Sequence, residues 1–274
     1  MKRLLIVGYG DIAGRTAARL PATVETRLLS RRLGADLDRP ETLGRAGGWA
    51  DTVLHCAPPP PAGEADPRTA NLLAALDAGG ILPTRLVYLS TSGVYGDCGG
   101  AEVDEARPTN PQTPRAMRRV DAERQLADWC AAHGVALVVL RVPGIYAADR
   151  LPLERLRAGT PTLAAAEDVW TNHIHADDLA GIALRALEPD APPGTYNASD
   201  DSRMKMGEWF DLVAARAGLP PPPRIARREA EGRIPAAMLS FMNESRRLDN
   251  RRMKSRLGVT LRYPTVHDGV PERS

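Results

Sequence analysis

Short apolar runs rich in branched residues recur through the first half of the chain: LLIV at 4–7, VETRLL at 24–29, TVLHCA at 52–57, RLVYLS at 85–90 and ALVVLRV at 136–142. Each is brief and bounded by turn formers, the signature of strands in a parallel sheet buried on both faces. The segments between them carry helical patterns at 12–20, 66–79 and 115–133, the last closed by Gly134 as a left-handed C-cap. Parallel strands joined by crossover helices make a doubly wound α/β sheet of Rossmann type.

After about residue 150 the pattern changes. PLERLRAG, DDLAGIALRALE and GEWFDLVAARAGL predict helices, GTYNASD a strand and turn, and LPPPPRI at 219–225 a stiff extended connector. The expected organisation is a Rossmann domain over 1–150 and a smaller α+β substrate-binding lobe over 151–274. That lobe lies over the carboxyl edge of the sheet, with some of its elements returning to it. No internal repeat or low-complexity tail is present.

Composition narrows the classes of partner. A chain of 274 residues suits one large α/β unit with an appended lobe, and its interspersed charges sum to only +2. That argues against nucleic acid or an anionic membrane as partner; the basic run RRLDNRRMKSR at 246–256 reads as a solvated helix face. Cys56, Cys98 and Cys130 form no C-x-x-C pair, so neither a disulfide framework nor a zinc site is expected, and a reducing cytoplasm fits. The apolar run Leu4–Val7 is too short for a signal peptide, and no stretch approaches the ~18 apolar residues of a membrane span. His173 and His175, two apart, lack helical metal-ligand spacing, and no metal is expected.

The first strand runs into GYGDIAG, which sets Gly8, Gly10 and Ala13 in the G-x-G-x-x-A arrangement, with Asp11 and Ile12 between them. Gly8 permits the tight turn, Gly10 lets the backbone approach a pyrophosphate, and Ala13 lets helix and strand pack closely. At the end of the second strand stand Ser30, Arg31 and Arg32, where a carboxylate would hold the ribose of NAD. Two guanidinium forks there suit a 2′-phosphate, so the expected cofactor is NADP rather than NAD. Cys56, Ala57 and Pro58, after the third strand, are expected along the cofactor, with Cys56 as a small packed residue.

YLSTSGVYGD (88–97), LRVPGIYA (140–147), HIHADDLAGIAL (173–184) and YNASDD (196–201) fall in the order and approximate spacing of one family. They resemble the extended short-chain dehydrogenase/reductase superfamily, in its NAD(P)-dependent sugar epimerase/dehydratase branch, over essentially the whole chain. The resemblance implies Thr91, four before Tyr95, as the catalytic hydroxyl, with Ser92 beside it and Pro143 flanking the nicotinamide. It assigns the Asp177–Asp178 pair to helix capping and support, and a homodimer through the helix at 115–133, where Trp129 either meets the partner or packs on the sheet. The family's Tyr-x-x-x-Lys falls on Arg115 and Arg119. The residue four after each tyrosine is Ala13, Ser92, Gly99, Arg150, Asp200 or His267, so the pair occurs nowhere in the chain. Arginine stays protonated near neutral pH, so Arg115 is no general base; Tyr95 becomes a candidate acid. Three readings follow. The first is an epimerase/dehydratase-like oxidoreductase with an atypical site, acting on a nucleotide sugar or a small carbonyl or hydroxyl compound. The second is a non-catalytic NADP-binding sensor, and the third a binder of an anionic metabolite in an arginine-lined cleft.

Overall fold

Side chains of a strand alternate between the two faces of its sheet, and the first strand shows what covers each face. In β1 (Arg3–Val7), Leu4 and Ile6 join a core with Ile12, Leu179 and Ile182, whereas Leu5 and Val7 join one with Leu72, Leu76 and Leu126. The first set comes from α1 (Asp11–Ala17) and α5 (Ala176–Leu187), the second from α2 (Pro67–Ala78) and α3 (Pro114–His133). Helices therefore cover both faces, as a doubly wound sheet requires.

The computed structural model describes residues 1–272. The other strands of the central sheet are β2 (Glu25–Leu29), β3 (Thr52–His55), β4 (Arg85–Thr91), β5 (Ala136–Val142) and β6 (Gly194–Asn197). All pairings are parallel and the order is β6-β5-β4-β3-β1-β2. The full dinucleotide-binding order carries a further strand outside β2. Here residues 30–51 instead form two single 3₁₀ turns, Arg31–Leu33 and Pro40–Thr42, before rejoining the sheet at β3. β3 stops at His55 because the amides of Cys56 and Ala57 both turn to the Val7 carbonyl, at 2.8 and 3.0 Å. α1 is shorter than the pattern at 12–20 predicts and ends in a turn at Ala18. α3 runs to Gly134, which is left-handed as predicted (φ 66°).

Beyond β5 lie α4 (Leu153–Arg157), α6 (Met206–Ala217), α7 (Ala236–Phe241) and α8 (Arg251–Leu257). β6, α5 and α8 return to the main core through Tyr196, Leu187 and Met253. A separate apolar cluster of Tyr146, Leu156, Trp209, Phe210 and Val213 sits beside the carboxyl edge. The proline run ends at Arg224–Ile225, which pairs with Thr162–Leu163. Trp129 is buried inside the chain, its Nε1 donating to Asp77 at 2.9 Å, so of the two roles open to it the ring takes packing within its own chain. Among the described residues no helix is long and apolar enough to cross a membrane.

The turn after β6 makes stability depend on pH. Asp200 is buried; its Oδ1 accepts from the Ser202 amide at 2.9 Å, while Oδ2 has no partner. Burial, aided by Asp201 and Asp178, pushes its carboxyl up to about 7. A carboxyl that binds its proton more tightly folded than unfolded contributes stability at pH values below its unfolded pKa, and that contribution is lost as pH rises through about 7. The fall has a ceiling of ~4 kcal/mol. Asp200→Asn should flatten the decline of the urea midpoint between pH 5 and 8; an unchanged slope would assign the decline elsewhere.

Two cavities on the carboxyl edge

Gly8 takes φ +83°, its amide donates to Leu29 at 2.9 Å, and a Cβ there would come 2.5 Å from the Ala57 nitrogen. The turn is thus pinned between β2 and the loop after β3. A Cβ on Gly10 would meet nothing within 4 Å, so the backbone faces open space where a phosphate would approach. This loop edges a cavity of about 600 Å³. Gly8, Gly10, Asp11, Cys56, Ala57 and Pro58 line one side, and Ser30, Arg31 and Arg32 another. Ile12 and Ala13 lie in α1 with their side chains in the core, and neither lines the cavity. Pro143 lines a second cavity instead.

Among the further lining residues that no sequence motif marks are Tyr9, Asp36, Leu37 and Arg68. Arg68 donates to the Pro58 and Pro59 carbonyls, both at 3.1 Å, and pairs with Asp38 at 2.6 Å, tying the loop after β2 to the loop after β3. Its place in the first turn of α2, directly after a proline loop, was the available signal. Arg31 and Arg32 are exposed and form no ion pair among the described residues. Burial pushes the Cys56 thiol up to about 12, which leaves it unreactive.

The second cavity, about 460 Å³, lies beyond the ends of β4 and β5 and is lined by Thr91, Ser92, Arg115 and Pro143. Aromatic residues from the other lobe complete it: Trp170, Trp209, Phe210 and Phe241. Thr91 caps the 3₁₀ turn after β4, its Oγ1 accepting from the Gly93 amide at 3.2 Å. The Arg115 guanidinium lies 4.0 Å over the Phe241 ring. Among the described residues four arginines line this cavity (Arg115, Arg150, Arg155 and Arg246), but only one carboxylate, Glu244. Arg246 departs from the solvated-face reading of 246–256, being buried and paired with Glu244 at 2.9 Å, whereas Arg251, Arg252 and Arg256 on α8 are exposed as that reading expects. Two other members of that run form ion pairs, Arg251 with Asp249 and Lys254 with Asp201. Burial holds the His173 imidazole down at about 3, so this lining residue is neutral.

Arg119 lines neither cavity. Its Nη1 donates to Tyr88 Oη at 2.9 Å and to the Leu89 carbonyl at 2.8 Å, fastening α3 to β4. Tyr95 is buried and donates to Asn197 Oδ1 at 2.8 Å beneath the Arg141 guanidinium; burial raises its pKa, and it lines neither of these two cavities. The candidate acid is therefore a core residue. At the start of α5 the cap is His175, whose Nδ1 accepts from the Asp177 amide at 3.1 Å. Asp178 instead accepts from the amides of Arg262 and Tyr263, both at 2.8 Å, and Asp177 pairs with Arg15 at 3.0 Å. Among the described residues no group of His, Cys, Asp and Glu is placed to hold a metal ion.

The parallel sheet, its glycine-rich first turn and the two cavities at one edge define a Rossmann-type protein of short-chain dehydrogenase/reductase architecture. The chain belongs to the NAD dependent epimerase/dehydratase family, whose sequence profile matches residues 34–199. A 3-diazoavenalumate denitrifying reductase of a Streptomyces species is 29% identical over 210 residues, covering 74% of this chain and 68% of that protein. A conserved protein of unknown function from Silicibacter pomeroyi superposes with a TM-score of 0.80 and 29% identity, over 98% of this chain and 96% of that one. The UDP-glucose 4-epimerase of Thermus thermophilus, solved with NAD, has a TM-score of 0.75 and 22% identity, over 97% and 96%.

Proposed function

We propose that the protein is an NADPH-dependent reductase, with the dinucleotide in the first cavity and the substrate in the second. The observation that carries this is the Arg115 guanidinium, which lines the same cavity as Thr91, where among the described residues the one lining carboxylate, Glu244, is bound to Arg246. Epimerisation and alcohol oxidation begin with removal of a hydroxyl proton, and a permanently protonated guanidinium cannot accept it. In reduction the hydride arrives on the acceptor, a fixed guanidinium stabilises the negative charge that develops there, and solvent water supplies the proton that completes the product. The nicotinamide, when bound, supplies the hydride. Thr91 and Ser92 are the hydroxyls that would orient the accepting group, and Arg119, held on β4, acts as a positioning residue for α3. The Streptomyces relative is named as a reductase, which agrees in direction.

Arg31 and Arg32 would take the 2′-phosphate. NADPH should bind more tightly than NADH by roughly tenfold to a hundredfold, the worth of charge-assisted hydrogen bonds. Arg31→Ala/Arg32→Ala should erase that ratio in a fluorescence titration of the reduced nicotinamide. Equal affinities in the unaltered protein overturn the NADP assignment. Saturable binding without NADPH oxidation across carbonyl, enoate and diazonium acceptors would favour the non-catalytic sensor.

A further inference from the structure

One pair of side chains joins the two cavities. Arg150 lines the second cavity and donates from Nη1 to Asp11 Oδ2 at 2.8 Å, while Asp11, next to Gly10, lines the first. Arg15 holds the other Asp11 oxygen, at 2.8 Å, and also reaches Asp149, the residue before Arg150, at 2.9 Å. The turn at 148–150 is therefore tied to α1 at two points, and the Arg150 guanidinium is fixed against the residue that follows the glycine turn.

Arg150 differs from the other cations of its cavity in what it leaves open. Arg246 is bound by Glu244 at 2.9 Å, Arg155 keeps Nε and Nη1 shut from water, and Arg115 lies over the Phe241 ring. Arg150 engages only Nη1 among the described residues, and its side chain is 38% exposed. Nε and Nη2 form the remaining edge of the guanidinium fork, an edge that fits two oxygens of one phosphate. A carboxylate beside a phosphate-binding turn would by itself repel a pyrophosphate. Two guanidinium groups on Asp11 offset that repulsion, and the open edge of one adds attraction.

We infer that Arg150 is a cofactor-binding residue supplied from beyond the glycine-rich unit: its open edge takes the dinucleotide phosphate nearer the nicotinamide, and Asp11 aims it. The inference rests on the reading that the dinucleotide lies in the first cavity and reaches toward the second. It also ties the wall of the second cavity to the bound cofactor, because the side chain that grips the phosphate is a lining residue there.

Fluorescence titration of the full chain with NADPH, beside isothermal titration with 2′,5′-ADP, tests it. The second ligand keeps the 2′-phosphate and the adenosine-side phosphate but lacks the phosphate assigned to Arg150. Arg150→Met should weaken NADPH roughly tenfold to a hundredfold, the worth of a charge-assisted contact, and 2′,5′-ADP by less than about threefold. The ratio of the two losses does not depend on how much of the variant is folded. Arg150→Lys, a point charge without the fork, should recover part of the loss. Asp11→Asn added to Arg150→Met separates lost contact from unmasked repulsion: the double variant should stay as weak as Arg150→Met. Unchanged NADPH affinity in Arg150→Met, an equal loss for 2′,5′-ADP, or a double variant restored to the parent's affinity each overturns the proposal. A parent that binds no NADPH overturns the dinucleotide reading itself, so the two failures are distinguishable.

Discussion

Arg141→Met is expected to lower the free energy of unfolding by about 3–5 kcal/mol, the cost of stripping one partner from a buried ion pair. Arg141 Nη2 lies 2.7 Å from Glu123 Oε2 and its Nε 3.3 Å from both carboxylate oxygens, with the two side chains only 9% and 11% exposed. Ser90 adds a hydrogen bond from β4 to Glu123 Oε1, and the guanidinium lies 4.7 Å over the Tyr95 ring. The pair thus fastens α3 to β4 and β5 one turn beyond Arg119. With methionine in place, the Glu123 carboxyl group is left without its partner in a site that water hardly reaches. Pairing the substitution with Glu123→Met should restore most of the loss, because two apolar chains of similar volume replace both charges. Urea unfolding of the two variants checks this. A loss below about 1 kcal/mol for Arg141→Met, the range of exposed pairs, would mean that solvent screens the contact.

Those contacts mark what could be read from the sequence. The strands at 4–7, 25–29, 52–55, 85–91 and 136–142 were legible because buried parallel strands are written locally, as short apolar runs between turn formers. The turn at Gly8 is legible for a different reason: Leu29 and Ala57 pin it from far along the chain, but the G-x-G-x-x-A spacing between the first strand and α1 carries its signature. Arg246 was not. It looks like one more cation in a basic run, and becomes a cavity residue only because Arg247–Leu248 pairs with Glu102–Val103, a contact with no local signature. The helix at 115–133 was read correctly, yet spacing alone could not separate its two arginines. Arg115 opens on the cavity beside Phe241, while Arg119 turns to the β4 backbone. The stretch 30–51 carries no legible element, because its single 3₁₀ turns leave no periodicity, so the shortened edge of the sheet has no sequence signature.

The two glycines of the first turn should fail in different ways when changed to alanine. At Gly8 the backbone is left-handed (φ +83°), and a new Cβ would sit 2.5–2.8 Å from three atoms of Ala57. Neither side can yield easily, since Gly8 is bonded to Leu29 and Ala57 to Val7. Overpacking plus an unfavourable φ should cost roughly 2–5 kcal/mol and deform the loop, so folding and NADPH binding fall together. Gly10 is extended (φ −99°, ψ −165°), a conformation alanine adopts freely, and nothing lies within 4 Å of its Cβ position. As the N-cap of α1 it has no side-chain cap to lose, so Gly10→Ala should cost only a few tenths to about 1 kcal/mol. Its methyl group would nevertheless occupy the space a pyrophosphate needs, and NADPH affinity should drop at least tenfold in a protein that melts nearly as the parent does. Thermal melts beside NADPH titrations separate the two. If Gly10→Ala binds NADPH as tightly as the parent, the open space above that residue is not the phosphate site.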